Sequence, residues 1–429
     1  MKLAFKEEFL HYLWQHKLFN FSALKTTDNQ SIKILNSGQL QPNAGPDFFN
    51  AQIEIDGIKW AGNVELHIKT SNWLQHKHQN DEAYDNVILH VVYEADVELK
   101  RKNGENMPTL ELKNLIDPKL EAKYLMLMES ATWIPCNDHI AKVDDFTIKI
   151  MQDALVVERS STKTLDIEIA LKLNKNNWEE TFYQFVAMGF GLKVNAEPFQ
   201  MLARNSPLNI LIKHKNNLSQ IEAILFGNAG LLNQKLKDNY GKTMFEEYQF
   251  LKKKYDLTEQ LPHSWKFSKI RPSAFPTIRI ALLAQLIFQS NHLLSKILAT
   301  KNVKDIYELF ELKASSYWDK HYRFDNEAKT NKPKILGKTA IQLIAINVIS
   351  PFLFVYGKQM GKNEIIDKAL ELLHALPKEN NNVVRNWEDL GIDVKSAYES
   401  QAMLQLKNNF CAKKQCLRCQ IGHKIVTSK

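Results

Sequence analysis

The spacing of apolar positions changes character along the chain. Over Glu7 to His16, Phe9, Leu10 and Leu13, with Phe5 before them, share one helical face and predict a short amphipathic helix. Residues 31–36 (Ser-Ile-Lys-Ile-Leu-Asn) alternate as a strand does and run into the turn-prone Asn36-Ser37-Gly38. Ala51, Ile53 and Ile55 then alternate with Gln52, Glu54 and Asp56. Asp56-Gly57 is a strong signal for a two-residue hairpin turn, so a return strand is predicted from Ile58 to Lys69. A polar, histidine-rich stretch from Trp73 to Asp85 follows, expected to be helical in its second half. It leads to Asn86–Glu94, apolar enough for a central strand. Helix, strand, hairpin, helix, strand is the order of a compact α/β unit.

From about Asp144 the period becomes helical. Ile278–Leu298 and Ile365–Leu376 carry apolar residues at three-and-four spacing, and Ile221–Leu232 does so apart from its glycines. Few strands are expected after residue 130. The most apolar run, Ile341 to Gly357, is interrupted by Gln342, Asn347, Ser350 and Pro351; it reads as a buried helix ending at the proline rather than a membrane span. The predicted class is α+β: a small N-terminal α/β domain with a central mixed sheet (1–135), a mainly helical domain (136–400), and a basic, cysteine-rich segment (401–429) packing back on the chain.

Bulk composition adds limits. A chain of 429 residues, 44% apolar and 24% charged, can bury substantial cores, and 15 Gly with 13 Pro leave little room for long linkers. Charged residues at the N-terminus occupy the place of a signal peptide's apolar region, so a cytoplasmic, non-membrane protein is expected. The net charge of +8 is compatible with nucleic acid as a partner; protein partners are left open. Residues 401–429 hold six Lys or Arg and no Asp or Glu.

The hairpin carries the first candidate chemistry. Alternate side chains of a strand share a face, so Glu65, His67 and Lys69 project together while Val64, Leu66 and Ile68 face a core. Asp47, in Gly45-Pro46-Asp47, lies close by across the hairpin. Two carboxylates and a backbone carbonyl suit a hard cation such as Mg²⁺ or Mn²⁺, and a neighbouring Lys or His could orient water or stabilise phosphate charge. An unbroken ladder from Asp56-Gly57 would set Asp47 opposite Leu66, on the buried face. A one-residue bulge, most easily at Gly62-Asn63, would restore it to the side of Glu65. His76, His78 and Asp81 follow as further candidate ligands or proton donors, though their spacing matches no metal-binding helix motif.

These residues and the element order resemble the PD-(D/E)XK nuclease superfamily. The resemblance implies Asp47 and Glu65 as metal ligands and an accessory glutamate, Glu7 or Glu8, on the first helix. The superfamily's lysine position falls on His67, a departure for which Lys69 is the expected substitute.

Cys411-x4-Cys416-x2-Cys419 is the sharpest local signal, because crowded thiols suit Zn²⁺ or an iron–sulfur cluster. Cys136, in Trp133-Ile-Pro-Cys136, completes a set of four, with His423 as the local competitor. A distant cysteine joined to a C-terminal trio is similar to iron–sulfur nucleases, although there the lone cysteine precedes the nuclease motifs. In the helical half, Lys266, Lys269, Arg271 and Arg279 alternate with Phe267 and Phe275, a mixture that can bind phosphates and stack on bases. The segment 315–324 mixes aromatic and basic residues similarly. No Walker, Rossmann or nucleophile-elbow motif is present.

Taken whole, the chain resembles a bacterial family without an assigned activity, domain of unknown function 2851. The carriers are Glu8-Phe-Leu-His-Tyr-Leu-Trp14, Ala44-Gly-Pro-Asp-Phe48, Trp60-Ala-Gly-Asn-Val-Glu-Leu-His67, His76-Lys-His-Gln-Asn-Asp81, Leu89-His-Val-Val92, Arg271-Pro and the terminal cysteines. The functional expectation is therefore metal-dependent cleavage of nucleic-acid phosphodiesters. Its alternative is a non-catalytic nucleic-acid-binding or scaffold protein with a degenerate nuclease fold and a structural metal.

Overall fold

In the computed structural model, which describes residues 6–41, 45–233 and 235–428, helix α1 runs from Glu7 to His16. Glu7 and Glu8 in its first turn favour the positive end of the helix dipole. Lys17, left-handed at φ 52°, ends it by turning its N–H onto the carbonyls of Leu13 and Trp14. Phe9, Leu10 and Leu13 are fully buried, as their period predicts. Phe5 lies outside the described residues.

The sheet comprises β1 (Ile32–Asn36), β2 (Gln39–Leu40), β3 (Phe48–Ile55), β4 (Ile58–Lys69), β5 (Val87–Glu94) and β6 (Thr109–Glu111). Its order is β1-β3-β4-β5-β6, with β2 also pairing with β3. The β3–β4 pair is antiparallel, whereas β4–β5 and β5–β6 are parallel, so the sheet is mixed. Asp56 (φ 48°) and Gly57 (φ 81°) make the hairpin turn, both left-handed as such a turn demands.

Pairing is regular from Ile55↔Ile58 to Ala51↔Gly62 and then shifts, so that Phe48 opposes Val64. Three residues of β3 thus match two of β4. The bulge that the site requires is present, but on the other strand: it falls at Phe49–Asn50, where Asn50 adopts φ 57°, rather than at Gly62-Asn63. Gly62 has a different duty. A Cβ there would lie 2.5 Å from Ile88 Cγ2 and 2.7 Å from the Asn86 carbonyl oxygen, so β5 can approach only a glycine.

Helix α1 packs on β4, and Val64 through His67 are all buried, so neither face of the strand is the solvated one that alternation suggests. Between β4 and β5 the chain forms a single helical turn, α2 (Asn72–Gln75), and two short 3-10 turns. The expected helix in the second half of 73–85 does not form: Lys77 turns left-handed (φ 61°) and Asp81 caps a new turn through Ala83 N–H. Helix α3 (Pro118–Glu129), capped by Asp117, stacks Tyr124 on Phe9 of α1 at 4.3 Å.

The protein is α+β. Two compact units divide it: one takes residues up to Met151 together with the segment from Leu406 onward, and the other is Gln152–Gln405. Helix α4 (Asp145–Leu173) begins in the first and continues into the second. The second unit is mainly helical, with a small ribbon of His321–Arg323 against Asn326–Glu327. Two predicted helices differ in extent. Ile278–Leu298 is broken at His292 (φ 54°) into helices Pro276–Gln289 and Leu293–Ala299. The apolar run does not stop at Pro351: a π turn over Ala345–Ile349 precedes the proline, and the helix continues to Met360. The wider turn makes room for a ring that would otherwise press on the preceding carbonyls. By length and composition Lys338–Met360 is the one helix among the described residues that could cross a membrane, yet it is mostly buried within the protein, as core helices are.

One buried acid in this unit carries a stability prediction. Glu222, in helix Leu218–Asn228, is 1% exposed and accepts hydrogen bonds from Tyr240 (2.8 Å) and Ser315 (2.8 Å). Burial pushes its pKa up to about 7. At low pH folded and unfolded chains both hold this proton; between the ordinary carboxyl range and about pH 7 only the folded chain does. Its contribution to stability therefore falls as pH rises through that window and levels off above it. Glu222→Gln, which keeps the shape without the charge, is expected to stabilise the protein by about 1–3 kcal/mol at pH 8 and hardly at all at pH 4. Urea unfolding at the two pH values checks this.

Candidate active site

The site forms where α1, the N-terminal end of β3, β4 and the β4–β5 crossover meet. The β3 bulge brings Asp47 level with Glu65, and the two then interlock. The Asp47 N–H donates to Glu65 Oε2 at 3.0 Å, and the Leu66 N–H donates to Asp47 Oδ2 at 2.9 Å. From α1, His11 Nε2 reaches Asp47 Oδ2 at 3.1 Å. Glu7, one helical turn earlier, shares that face.

Electrostatics here is dominated by crowded acids in a poorly solvated place. Burial, then the charge of Asp47, lifts Glu65 well above the usual carboxylate range, against the pull of the Asp47 N–H. Burial and Asp47 also raise Glu7 to about 7, opposed by His11. For His11, burial favours the neutral ring, but the hydrogen bond and charge of Asp47, backed by Glu7 and Glu8, outweigh it and the net shift is upward.

The other oxygen of Glu65 faces imidazoles. Oε1 lies 3.4 Å from His78 Nε2 and 3.5 Å from His67 Nε2. His67 also contacts His76 Nδ1 through Nε2 (3.0 Å) and His90 Nε2 through Nδ1 (2.8 Å). Burial, then neighbouring histidines, pushes His67 down to about 2 and His90 to about 3, so both rings are neutral. Trp73 sets its edge against His67, His78 and His90, and Tyr84 stacks on His78 at 3.8 Å. These aromatic rings fix the imidazoles from behind.

A cleft with about 640 Å³ of free space opens beside His78 and Tyr84, and Lys100, Arg101 and Lys102 line its far side. Arg101 donates to the Val87 carbonyl at 2.8 Å, and Lys102 pairs with Asp85 at 2.6 Å.

Of the residues expected from sequence, Asp47, Glu65, His67, His76 and His78 come together. Lys69 does not join them: it pairs with Glu94 of β5 at 3.6 Å, at the end of the strand. Glu8 is exposed, and of the two helix acids it is Glu7 that faces Asp47. Asp81 is exposed and caps the turn at Ala83 (2.9 Å). His11, His90 and Tyr84 were missed. His90 had a signal, since an imidazole within Val-Ile-Leu-His-Val-Val must be buried and must find a partner. His11 sits one turn after Glu7, which marks the same helix face.

The helical-unit residues fare differently. Lys269 and Arg271 are exposed, but Arg279 is buried in its helix, and burial lowers it to about 10. Phe267 and Phe275 are occupied by Arg323, whose guanidinium carbon lies 4.3 and 5.2 Å from the two rings. They are not free platforms for bases.

Cys136, Cys411, Cys416 and Cys419 are gathered in the first unit as free thiols, all buried except the half-buried Cys411. Every pair among them interacts electrostatically. Burial pushes Cys136 and Cys416 up to about 12 and raises Cys411 and Cys419 as well; the N–H groups of Ile421 and Gly422 bond to the Cys419 sulfur. His423 turns instead to the Tyr12 hydroxyl, 2.8 Å from its Nδ1.

A family model described as protein of unknown function (DUF2851) matches residues 7–382. The chain belongs to this family. The DUF2851 match takes in α1, the whole sheet, every residue of the acid–imidazole cluster and Cys136, and ends before Cys411. Comparison with curated proteins and with solved structures returned no significant match.

Proposed function

We propose that this protein is a metal-dependent phosphodiesterase of nuclease type, with Asp47 and Glu65 at its centre. The observation that carries the reading is their interlock: two acids from opposite strands, each holding a backbone N–H from the other's strand, with Glu7 and His11 closing in from the helix. Oxygen donors so crowded that burial and mutual repulsion raise two of their pKa values fit a small divalent cation, Mg²⁺ or Mn²⁺, better than they fit each other. Such a cation, when bound, lowers the pKa of water and neutralises charge on a phosphate.

The remaining work falls to side chains. Neutral His67 cannot supply the positive charge of the superfamily's lysine. His11, drawn toward protonation by Asp47, is the basic group in contact with the acids and can donate a proton to a departing oxygen. Lys100 and Lys102 give the cleft a basic rim for a polyanion, which favours nucleic acid as the substrate class.

The test is incubation of the full chain with single- and double-stranded DNA and RNA in Mg²⁺ or Mn²⁺. Cleavage should appear, vanish with chelator and vanish in Asp47→Asn. Cleavage that survives Asp47→Asn defeats the reading. Binding without cleavage under either metal favours the non-catalytic alternative.

We further propose that the four cysteines hold a structural metal centre. Buried, uncharged thiols facing one another gain most by becoming thiolates on a soft or borderline metal. Purified protein should contain zinc, or iron with sulfide, and Cys416→Ser should lower both the metal content and the melting temperature. Metal-free protein as stable as the metal-containing form would refute the centre.

A further inference from the structure

The acid–imidazole cluster is asymmetric in its chemistry. On the Asp47 side every side-chain donor but His11 is a carboxylate oxygen. On the other side Glu65 Oε1 meets His67 and His78, which with His76 form a set of three imidazoles whose ligand nitrogens all lie within 4.8 Å of one another. We infer that His67, His76 and His78, with Glu65 Oε1, form a second, nitrogen-rich site for a transition-metal ion such as Zn²⁺, Co²⁺ or Mn²⁺.

The distances support it. A tetrahedral ion with bonds of about 2.0–2.1 Å to nitrogen and oxygen sets its ligands about 3.3–3.4 Å apart. The separations are 3.0 Å for His67 Nε2 to His76 Nδ1, 3.5 Å for His67 Nε2 to Glu65 Oε1, and 3.4 Å for His78 Nε2 to Glu65 Oε1. His78 Nε2 is buried and makes no hydrogen bond, its contact with Glu65 Oε1 being a long 3.4 Å.

The surroundings also fit. A metal-binding histidine usually donates its second ring N–H to a fixed acceptor, which settles the tautomer and strengthens the ligand. His67 Nδ1 has such a partner in His90 Nε2 at 2.8 Å; donation in that direction leaves the Nε2 lone pair facing the cluster. His90 is thus a positioning residue. Tyr84 and Trp73 hold the His78 ring in place. His67 is buried, His78 half-buried and His76 exposed, so the set is closed at the sheet and open toward solvent, from which an ion can enter. Imidazole donors select borderline transition ions over Mg²⁺. Glu65 belongs to both halves, with Oε2 accepting from Asp47 N–H and Oε1 facing the imidazoles.

This inference stands apart from the nuclease reading, because it concerns what binds rather than what is cleaved. The experiment is a Co²⁺ titration of the full chain under a non-thiol reductant. Visible bands report low-coordinate Co²⁺, and a near-ultraviolet charge-transfer band reports thiolate ligands. A visible signal in addition to any thiolate band is expected, and it should persist in Cys416→Ser and in Asp47→Asn. His76→Ala and His78→Ala, both away from the sealed core, should each weaken binding by ~100-fold or more. Persistence of the signal in Asp47→Asn alongside lost cleavage would separate the two sites. Absence of Co²⁺ binding at micromolar concentration, or binding that survives both histidine substitutions, would overturn the site whatever the cleavage assay shows.

Discussion

Glu65→Gln is expected to cut metal-dependent cleavage on the order of 10³-fold, the scale of losing a principal electrostatic group in a dry site, while leaving the metal-free protein as stable as before or more so. The two effects have one cause. Glu65 is buried and faces Asp47, and its raised pKa means that at neutral pH the metal-free protein holds it as the neutral acid. Glutamine has almost the same shape, can accept the Asp47 N–H through its oxygen, and can donate its amide toward His67 or His78. Nothing that stabilises the empty site is lost. What disappears is the ability to ionise when a cation arrives, and with it the ligand shared by the oxygen and nitrogen halves. Thermal melts with and without Mn²⁺ read this directly. Wild type should gain stability with metal, about 2.7 kcal/mol when the ion is at 100 times its Kd, and Glu65→Gln should gain little. A variant that retains both cleavage and the metal-dependent shift would remove Glu65 from the site.

How far such a site is legible depends on which physics writes it. Helix α1 and strands β1 and β3–β5 were visible because one covered face imposes a period, and Asp56-Gly57 fixed the hairpin because few other pairs accept two left-handed residues. The conditional need for a bulge was also visible, since parity alone puts Asp47 on the wrong face. Its location was not. Asn50 tolerates φ 57° better than most residues, but within Phe-Phe-Asn-Ala-Gln-Ile nothing local demands it. Lys69 lies apart from the cluster for a related reason: parity assigns a face but not a partner, and Glu94, paired with it across β4–β5, draws the ammonium. His11 and His90 belong to the site through tertiary packing that brings α1 and β5 beside β4, a relation no spacing along one strand encodes. Pro351 shows the opposite failure, a strong local stop signal overridden by a π turn inside a well-packed helix.

Inserting one residue between Asn50 and Ala51 should therefore act as a register switch and destabilise the protein by about 3 kcal/mol or more. The ladder from Ala51 to Ile55 is anchored by the turn and stays in place. With a one-residue bulge kept, the added residue moves everything before it one place along β4, setting Phe48 opposite Glu65 and Asp47 opposite Leu66, whereas deleting Asn50 would leave Phe48 opposite Val64 and Asp47 opposite Glu65. Phe48, fully buried, is pulled out of the core, at about 2–3 kcal/mol for a large apolar side chain. Asp47 is driven toward the layer that holds Leu66, away from His11 and the Glu65 carboxylate, and a charged acid there is strongly disfavoured. Loss of cleavage and of the Mn²⁺-dependent melting shift should accompany the destabilisation. Two substitutions at Asn50 itself separate backbone from side chain. Asn50→Gly keeps the left-handed conformation and forfeits only the long 3.4 Å contact that Asn50 N–H makes with Asn63 if the loop relaxes, so activity should persist and stability should change by no more than ~1 kcal/mol. Asn50→Val forces a β-branched residue into positive φ and should cost about 1–2 kcal/mol with the register intact. Urea unfolding and the cleavage assay on all three variants give the ordering glycine, valine, insertion. An insertion that keeps Phe48 buried and cleavage unchanged would mean that the register of β3 on β4 does not set the place of Asp47.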